Sequence, residues 1–117
     1  MGDETFMRFS LDAVTPEHDA PDPAKVIAGD PRFTTWNMET ADDGKTFSGI
    51  WESTPGKWHM TYEEWEYCHI LSGISIITPD GGTPQTVRAG DAFLLRRGFS
   101  GTWETVETTR KEYVIRL

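Results

Sequence analysis

The sequence predicts a single all-β domain, closed into a barrel or sandwich, and three observations carry that prediction. From Thr34 onward, short runs rich in β-branched and aromatic residues recur between clusters of Gly, Pro and Asp. No window shows a long helical period. The chain has 117 residues, 37% of them hydrophobic and 12% aromatic, which is enough for one core and too few for two.

The elements follow in order. Residues 1–33 hold four of the seven prolines, at 16, 21, 23 and 31, together with many acids. Proline removes backbone donors and restricts the residue before it, so this stretch reads as an extended N-terminal arm packing on the barrel. Within it, short strands are expected at Phe6–Leu11 and at Val26–Gly29. The domain proper spans 34–117. Its strands are expected at Phe33–Glu39, Thr46–Ser53, Lys57–Tyr62, Trp65–Leu71, Ser75–Thr78, Gln85–Val87, Ala92–Leu95, Gly101–Val106 and Lys111–Leu117. Between them lie turn formers such as Ala41–Lys45, Ser72–Gly73 and Pro79–Gly82. Asp80-Gly81-Gly82 is a strong hairpin signal. Many short strands at near-regular spacing close best on themselves, because closure removes open edges.

Charge and cysteine content narrow the setting. Eleven basic against 19 acidic residues leave a net charge of −8, which argues against a nucleic-acid or anionic-membrane surface. The one cysteine, Cys68, allows no intrachain disulfide and fits a reducing compartment. Residues 1–12 contain acids and no apolar run, unlike a secretory signal. A cytoplasmic protein without a membrane span is the expectation.

Alternation along the strands assigns faces. Lys111, Tyr113 and Ile115 share one face, and their apolar company points Lys111 inward. Glu66, Cys68 and Ile70 share another, which brings Glu66 inward too. Trp51 and Trp103 belong to inner faces on the same reasoning, and His59 and Thr61 are expected there as well. Trp58, Met60 and Tyr62 then fall on an apolar outer face of the kind that a second copy covers. His69 alternates out of phase with Glu66 and is expected outside. A buried carboxylate and ammonium must neutralise each other or meet a ligand, since an isolated buried charge costs several kcal/mol. Both readings of the pair, a satisfied structural contact and a pocket, are open here.

These residues resemble the cupins, a family of RmlC-like jelly-roll barrels. Gly56, His59, Thr61, Glu66 and Gly73 follow the first cupin motif, and Gly90, Arg96, Gly98 and Gly101 follow the second. Gly90-Asp91, the run Gly98 to Trp103 and the run Arg110 to Tyr113 are more specifically similar to the ureidoglycine aminohydrolase cupin domain and the ethanolamine-utilisation cupins. The resemblance covers residues 34–117 and implies a double-stranded β-helix and a homodimer. It also implies metal ligands at His59 and Glu66, but Thr61 and Gly101 stand where the family has two further histidines. Two protein ligands are fewer than a 3d metal wants, so no cofactor, or a weakly bound divalent metal, is expected.

Three functions are compatible with these residues. In one, the barrel holds a small polar metabolite (a carboxylate, an amide or a ureide-like compound) beside a degenerate metal site. Glu66 and Lys111 would then be the catalytic pair, with His59, Thr61, Trp51, Tyr62 and Trp103 binding the ligand. In another, which the resemblance implies, a metal-dependent enzyme acts on the C–N bonds of ureide-like compounds. In the third, the chain is a non-catalytic ligand-binding or dimeric structural module.

Overall fold

The computed structural model describes residues 5–117. Nine strands make up most of it: β1 (Glu17–Asp19), β2 (Val26–Gly29), β3 (Phe33–Ala41), β4 (Thr46–Ser53), β5 (Gly56–Thr61), β6 (Trp65–Pro79), β7 (Gln85–Arg88), β8 (Ala92–Leu95) and β9 (Ser100–Arg116). Two short 3-10 turns, Leu11–Ala13 and Pro23–Lys25, are the helical elements among the described residues. No helix among those residues is long and apolar enough to cross a membrane.

Two long strands organise the rest. β6 and β9 pair antiparallel from Trp65↔Arg116 to Pro79↔Gly101, with register shifts between Ile70 and Ser75. At the C-terminal part of β9 the next strand is β4, followed by β3 and β1. At its N-terminal part the next strand is β5, followed by β2. On the other side of β6, β8 covers the first part and β7 the second. The sheet thus divides into two branches, β1-β3-β4-β9-β6-β8 and β2-β5-β9-β6-β7. The branches face each other across the core: Trp51 on the first lies with its ring centroid 5.4 Å from Trp103 and 6.3 Å from Trp58 on the second. This is the jelly-roll arrangement, built entirely of antiparallel pairs.

Two pairs of expected strands are each one strand. Ser72-Gly73 reads as a turn, yet β6 runs through it. Gly73 has φ +88, and a Cβ there would lie 2.1 Å from the Thr108 carbonyl oxygen. A residue without a side chain lets the two backbones touch at the bend, so Gly73 makes a bulge that carries β6 from one branch to the other. β9 likewise continues through Glu107-Thr108-Thr109, which holds no chain breaker. The N-terminal stretch contributes more than an arm. Val26–Gly29 is a strand as expected, and Glu17–Asp19 adds another against β3. Phe6–Leu11 is not a strand; its end forms the turn Leu11–Ala13.

Replacing Gly73 by alanine should cost roughly 2–4 kcal/mol, from the strained φ and the backbone clash together. Urea unfolding of Gly73→Ala measures it. An unchanged midpoint would show that the bend does not depend on this glycine.

Candidate functional site

Between the two branches lies a cavity of about 540 Å³. Its aromatic walls come from both: Phe33 and Trp51 from the first, Trp58 and Trp103 from the second. Phe33 meets Trp51 at 5.1 Å and Trp58 at 4.9 Å between centroids, so the rings form one continuous surface. Such tilted and edge contacts are favoured by the ring quadrupoles and stiffen the wall.

The polar floor is the Glu66–Lys111 ion pair, with Nζ 3.0 Å from Oε2. Both residues are buried, at 3% and 4% exposure. Local register explains the contact. Lys111 sits opposite Ile70 on β6 and opposite Trp51 on β4. Glu66, Cys68 and Ile70 alternate onto the same inner face. The lysine stem therefore runs along β6 past Cys68, with Nζ 3.6 Å from its sulfur, and ends at Glu66. A larger side chain than cysteine at 68 would block that path. The ammonium also lies 4.4 Å from the centroid of the Trp51 ring and 4.5 Å from that of Trp103. Cation–π attraction is strongest where the cation is desolvated, as it is here.

Protonation follows from this geometry. Burial pulls the Lys111 pKa down, Cys68 and Glu66 pull it up, and the net direction is up. Burial pushes the Cys68 thiol up to about 12 against the opposing pull of Lys111, so its sulfur is neutral at physiological pH. The charge that holds Lys111 protonated is then that of Glu66. Burial, followed by the Glu66 carboxylate, raises Tyr62 well above its ordinary value. Burial, followed by Glu66 and Glu17, pushes Tyr113 up to about 12. The Tyr113 hydroxyl donates to Asn37 Oδ1 at 2.8 Å, which fixes both on the cavity wall.

Trp103 is oriented from behind. Its indole N–H donates to Ser75 Oγ at 3.1 Å. Thr109 Oγ1 donates to the Glu107 carbonyl at 2.8 Å, so it accepts from Ser75 Oγ, 2.7 Å away. Each hydroxyl in this buried chain has one proton and spends it once. The chain sets which way the indole ring turns, and so where its face meets Lys111.

The facing of β5 is the reverse of the sequence expectation. Trp58 is buried, and Met60 and Tyr62 line the cavity. His59 points outside, where Nε2 lies 3.1 Å from each oxygen of Asp80 and Ser100 donates to Asp80 at 2.5 Å. Thr61 is exposed. Neither His59 nor Thr61 lines the cavity. The physical reason is parity: a strand has one inner face, and three large apolar side chains outweigh one imidazole for it. The apolar set thought to await a second copy is therefore inside the barrel. Trp51, Tyr62, Trp103, Glu66 and Lys111 all converge on the cavity. Residues not anticipated there are Phe33, Asn37, Trp58, Met60 and Glu17. Glu17 arrives from the proline-rich stretch because β1 pairs with β3 at Glu17↔Thr35. His69 is outside as expected, with Nδ1 2.9 Å from Glu112.

The inner residues do not fit a metal. Tyr62 precedes Glu66 by the same interval of three or four residues that the motif allows, so Met60 and Tyr62 occupy the positions of its two histidines. Gly101 occupies the last position, and a Cβ there would lie 2.3 Å from the Thr78 carbonyl oxygen. Of the four inner positions only Glu66 carries a strong donor, and it already holds an ammonium at 3.0 Å. A divalent cation at Glu66 would face that ammonium across a few ångströms of low-dielectric interior. No group of three or more His, Cys, Asp or Glu is placed to hold a metal among the described residues.

Comparison with known proteins agrees with the fold. The model of the EutQ-like cupin domain matches residues 40–113, more than half of the chain. A protein of unknown function of the DUF861 family from Pseudomonas syringae superposes with TM-score 0.78 at 24% identity, over 87% of this chain and 43% of that one. This chain thus spans less than half the length of that relative. The EutQ protein of Clostridium difficile gives 0.67 at 16% identity, over 94% and 80% of the two chains. A predicted oxalate decarboxylase from Thermotoga maritima gives 0.71 at 20% identity, over 95% and 99%. At these identities the likeness is one of fold. No curated protein matches the sequence.

Stability should fall in alkali, and the sign follows from the raised groups. On unfolding, Cys68, Lys111, Tyr62 and Tyr113 return to ordinary values of 9.0, 10.5, 10.0 and 10.0. Above that range the unfolded chain holds fewer protons than the folded one, so stability declines as pH rises. Urea unfolding from about pH 8 to about pH 11.5 should show a midpoint that begins to fall near pH 9, where the unfolded Cys68 thiol ionises, and falls more steeply above about pH 10. A midpoint that stays level across that range would contradict the assigned protonation states.

Proposed function

Because the chain belongs to the EutQ-like cupin family, and its aromatic cavity ends on an ion pair where a metal-ligand set would stand, we propose that it binds a small organic molecule there without a metal. One observation carries the reading: a buried pair of charges opening onto a cavity of about 540 Å³. Burying two charges is expensive, and well-packed apolar residues would do the structural work as well or better. A polar group on a ligand gives the expense a use. Phe33, Trp51, Trp58 and Trp103 would take the flat or apolar body of that ligand. Glu66, Tyr62 and the Tyr113–Asn37 pair would take its polar end. The volume suits a small polar metabolite, amide and ureide-like compounds included.

Binding is favoured over turnover. General acid–base catalysis needs a group whose pKa lies near the working pH. Lys111, Tyr62 and Tyr113 are all moved upward, away from neutrality, and Glu66 is held by Lys111. A metal-dependent reaction at C–N bonds finds no donor set among Met60, Tyr62, Glu66 and Gly101.

Thermal-shift screening of amides, ureides, carboxylates and amines, followed by product analysis, tests this reading. A true ligand at about 100-fold excess over Kd should raise Tm by roughly 10 °C, and it should be recovered unchanged. The gain should vanish in Trp103→Ala. Consumption of the ligand, or stoichiometric Mn, Fe, Ni or Zn in the purified protein, would overturn it.

A further inference from the structure

Resting on that binding reading, we propose that the cavity selects an organic cation, an ammonium or amidinium on a flat or apolar body, over neutral and anionic molecules of the same shape. The inference comes from which charges at the site are already committed.

Lys111 is the one cationic side chain that lines the cavity, among the described residues. An ammonium has three N–H donors. Two of those of Lys111 are directed to Glu66 at 3.0 Å and Cys68 at 3.6 Å, and the adjoining rings of Trp51 and Trp103 cover one side of the charge. Its charge is already met by Glu66 at contact distance, so an incoming anion would compete with a buried carboxylate for it.

One carboxylate, Glu17, is in the opposite position. Glu66 is committed to Lys111 and to hydrogen bonds with Tyr62 and Cys68. Glu17 stands exposed on β1 at the rim of the cavity, with no ion pair or hydrogen bond to its side chain among the described residues. Glu17 and Glu66 against Lys111 leave the lining at a net −1. Burial is the main cause that raises Tyr62 and Tyr113, and the carboxylates add to it, Glu66 at Tyr62 and Glu66 with Glu17 at Tyr113. Phe33 and Trp58 add aromatic faces that Lys111 does not use. A carboxylate entering this site would shed water next to two like charges. A cation would find one unpaired carboxylate and free π-faces. The net charge of −8 over the chain draws cations to the protein from a distance as well.

The test uses three molecules of one shape: benzylammonium, benzamide and benzoate. Their binding to the full chain is followed at neutral pH and low salt by tryptophan fluorescence and calorimetry. Benzylammonium should bind at least about tenfold tighter than benzamide, with benzoate weakest, and added salt should narrow the gap. Glu17→Gln, which lies on an exposed rim and should fold normally, should cut the preference for the cation about three- to tenfold. Equal binding of all three, a preference for benzoate, or an unchanged preference in Glu17→Gln would overturn charge selection and leave the binding cavity standing. Failure of all three to bind, with folding intact by circular dichroism, would overturn both.

Discussion

The interior of this protein is arranged around one contact, the ion pair between Glu66 and Lys111. Each charge alone would cost several kcal/mol to bury, so neither tolerates the absence of the other. The contact also demands a particular neighbourhood. The lysine stem has to lie along β6, which requires a side chain as small as Cys68 in its path. Its ammonium has to be shielded from solvent, and the adjoining rings of Trp51 and Trp103 cover one side of it. Trp103 has to be turned correctly, which the hydroxyls of Ser75 and Thr109 ensure from behind. One electrostatic requirement thereby propagates through three strands, β4, β6 and β9.

The fold supplies the means. β6 and β9 are long enough to belong to both branches of the sheet, so residues of one strand serve both walls of the cavity. Lys111 and Trp103 are both on β9, yet they reach Glu66 and Trp51 on the first branch from opposite sides of the bend. The glycines at the crossings matter for the same reason. Gly73 and Gly101 are places where one backbone presses on another, at Thr108 and at Thr78. Gly101 in particular fills a position where the family motif places a histidine. Its space is taken by the neighbouring strand, so a metal ligand cannot simply be restored there.

Much of this was legible in the sequence, and the parts that were not have physical reasons. Period-two alternation suffices to turn Glu66, Lys111, Trp51 and Trp103 inward, because their apolar strand neighbours leave one consistent inner face. The same rule applied to Trp58, Met60 and Tyr62 points them inward too. The spacing of a histidine motif competes with it, and a one-residue offset satisfies that spacing equally well. Hydropathy wins because burying three large side chains outweighs a pattern match. The bend at Gly73 looks like a turn locally, since a positive φ serves turns and bulges alike. Glu17 was hidden for a different reason. Its place at the rim depends on a pairing with β3, and nothing within a proline-rich stretch reveals a long-range partner.

The central claim is that Glu66 and Lys111 form a single energetic unit, and a double-mutant cycle addresses it directly. Unfolding free energies would be measured for the parent chain, Glu66→Gln, Lys111→Met and the double variant. Either single change should destabilise by about 3–5 kcal/mol, while the double variant recovers much of that loss, giving a coupling of at least about 2 kcal/mol. Additive effects, with a coupling near zero, would contradict the account, because the two charges would then be tolerated independently.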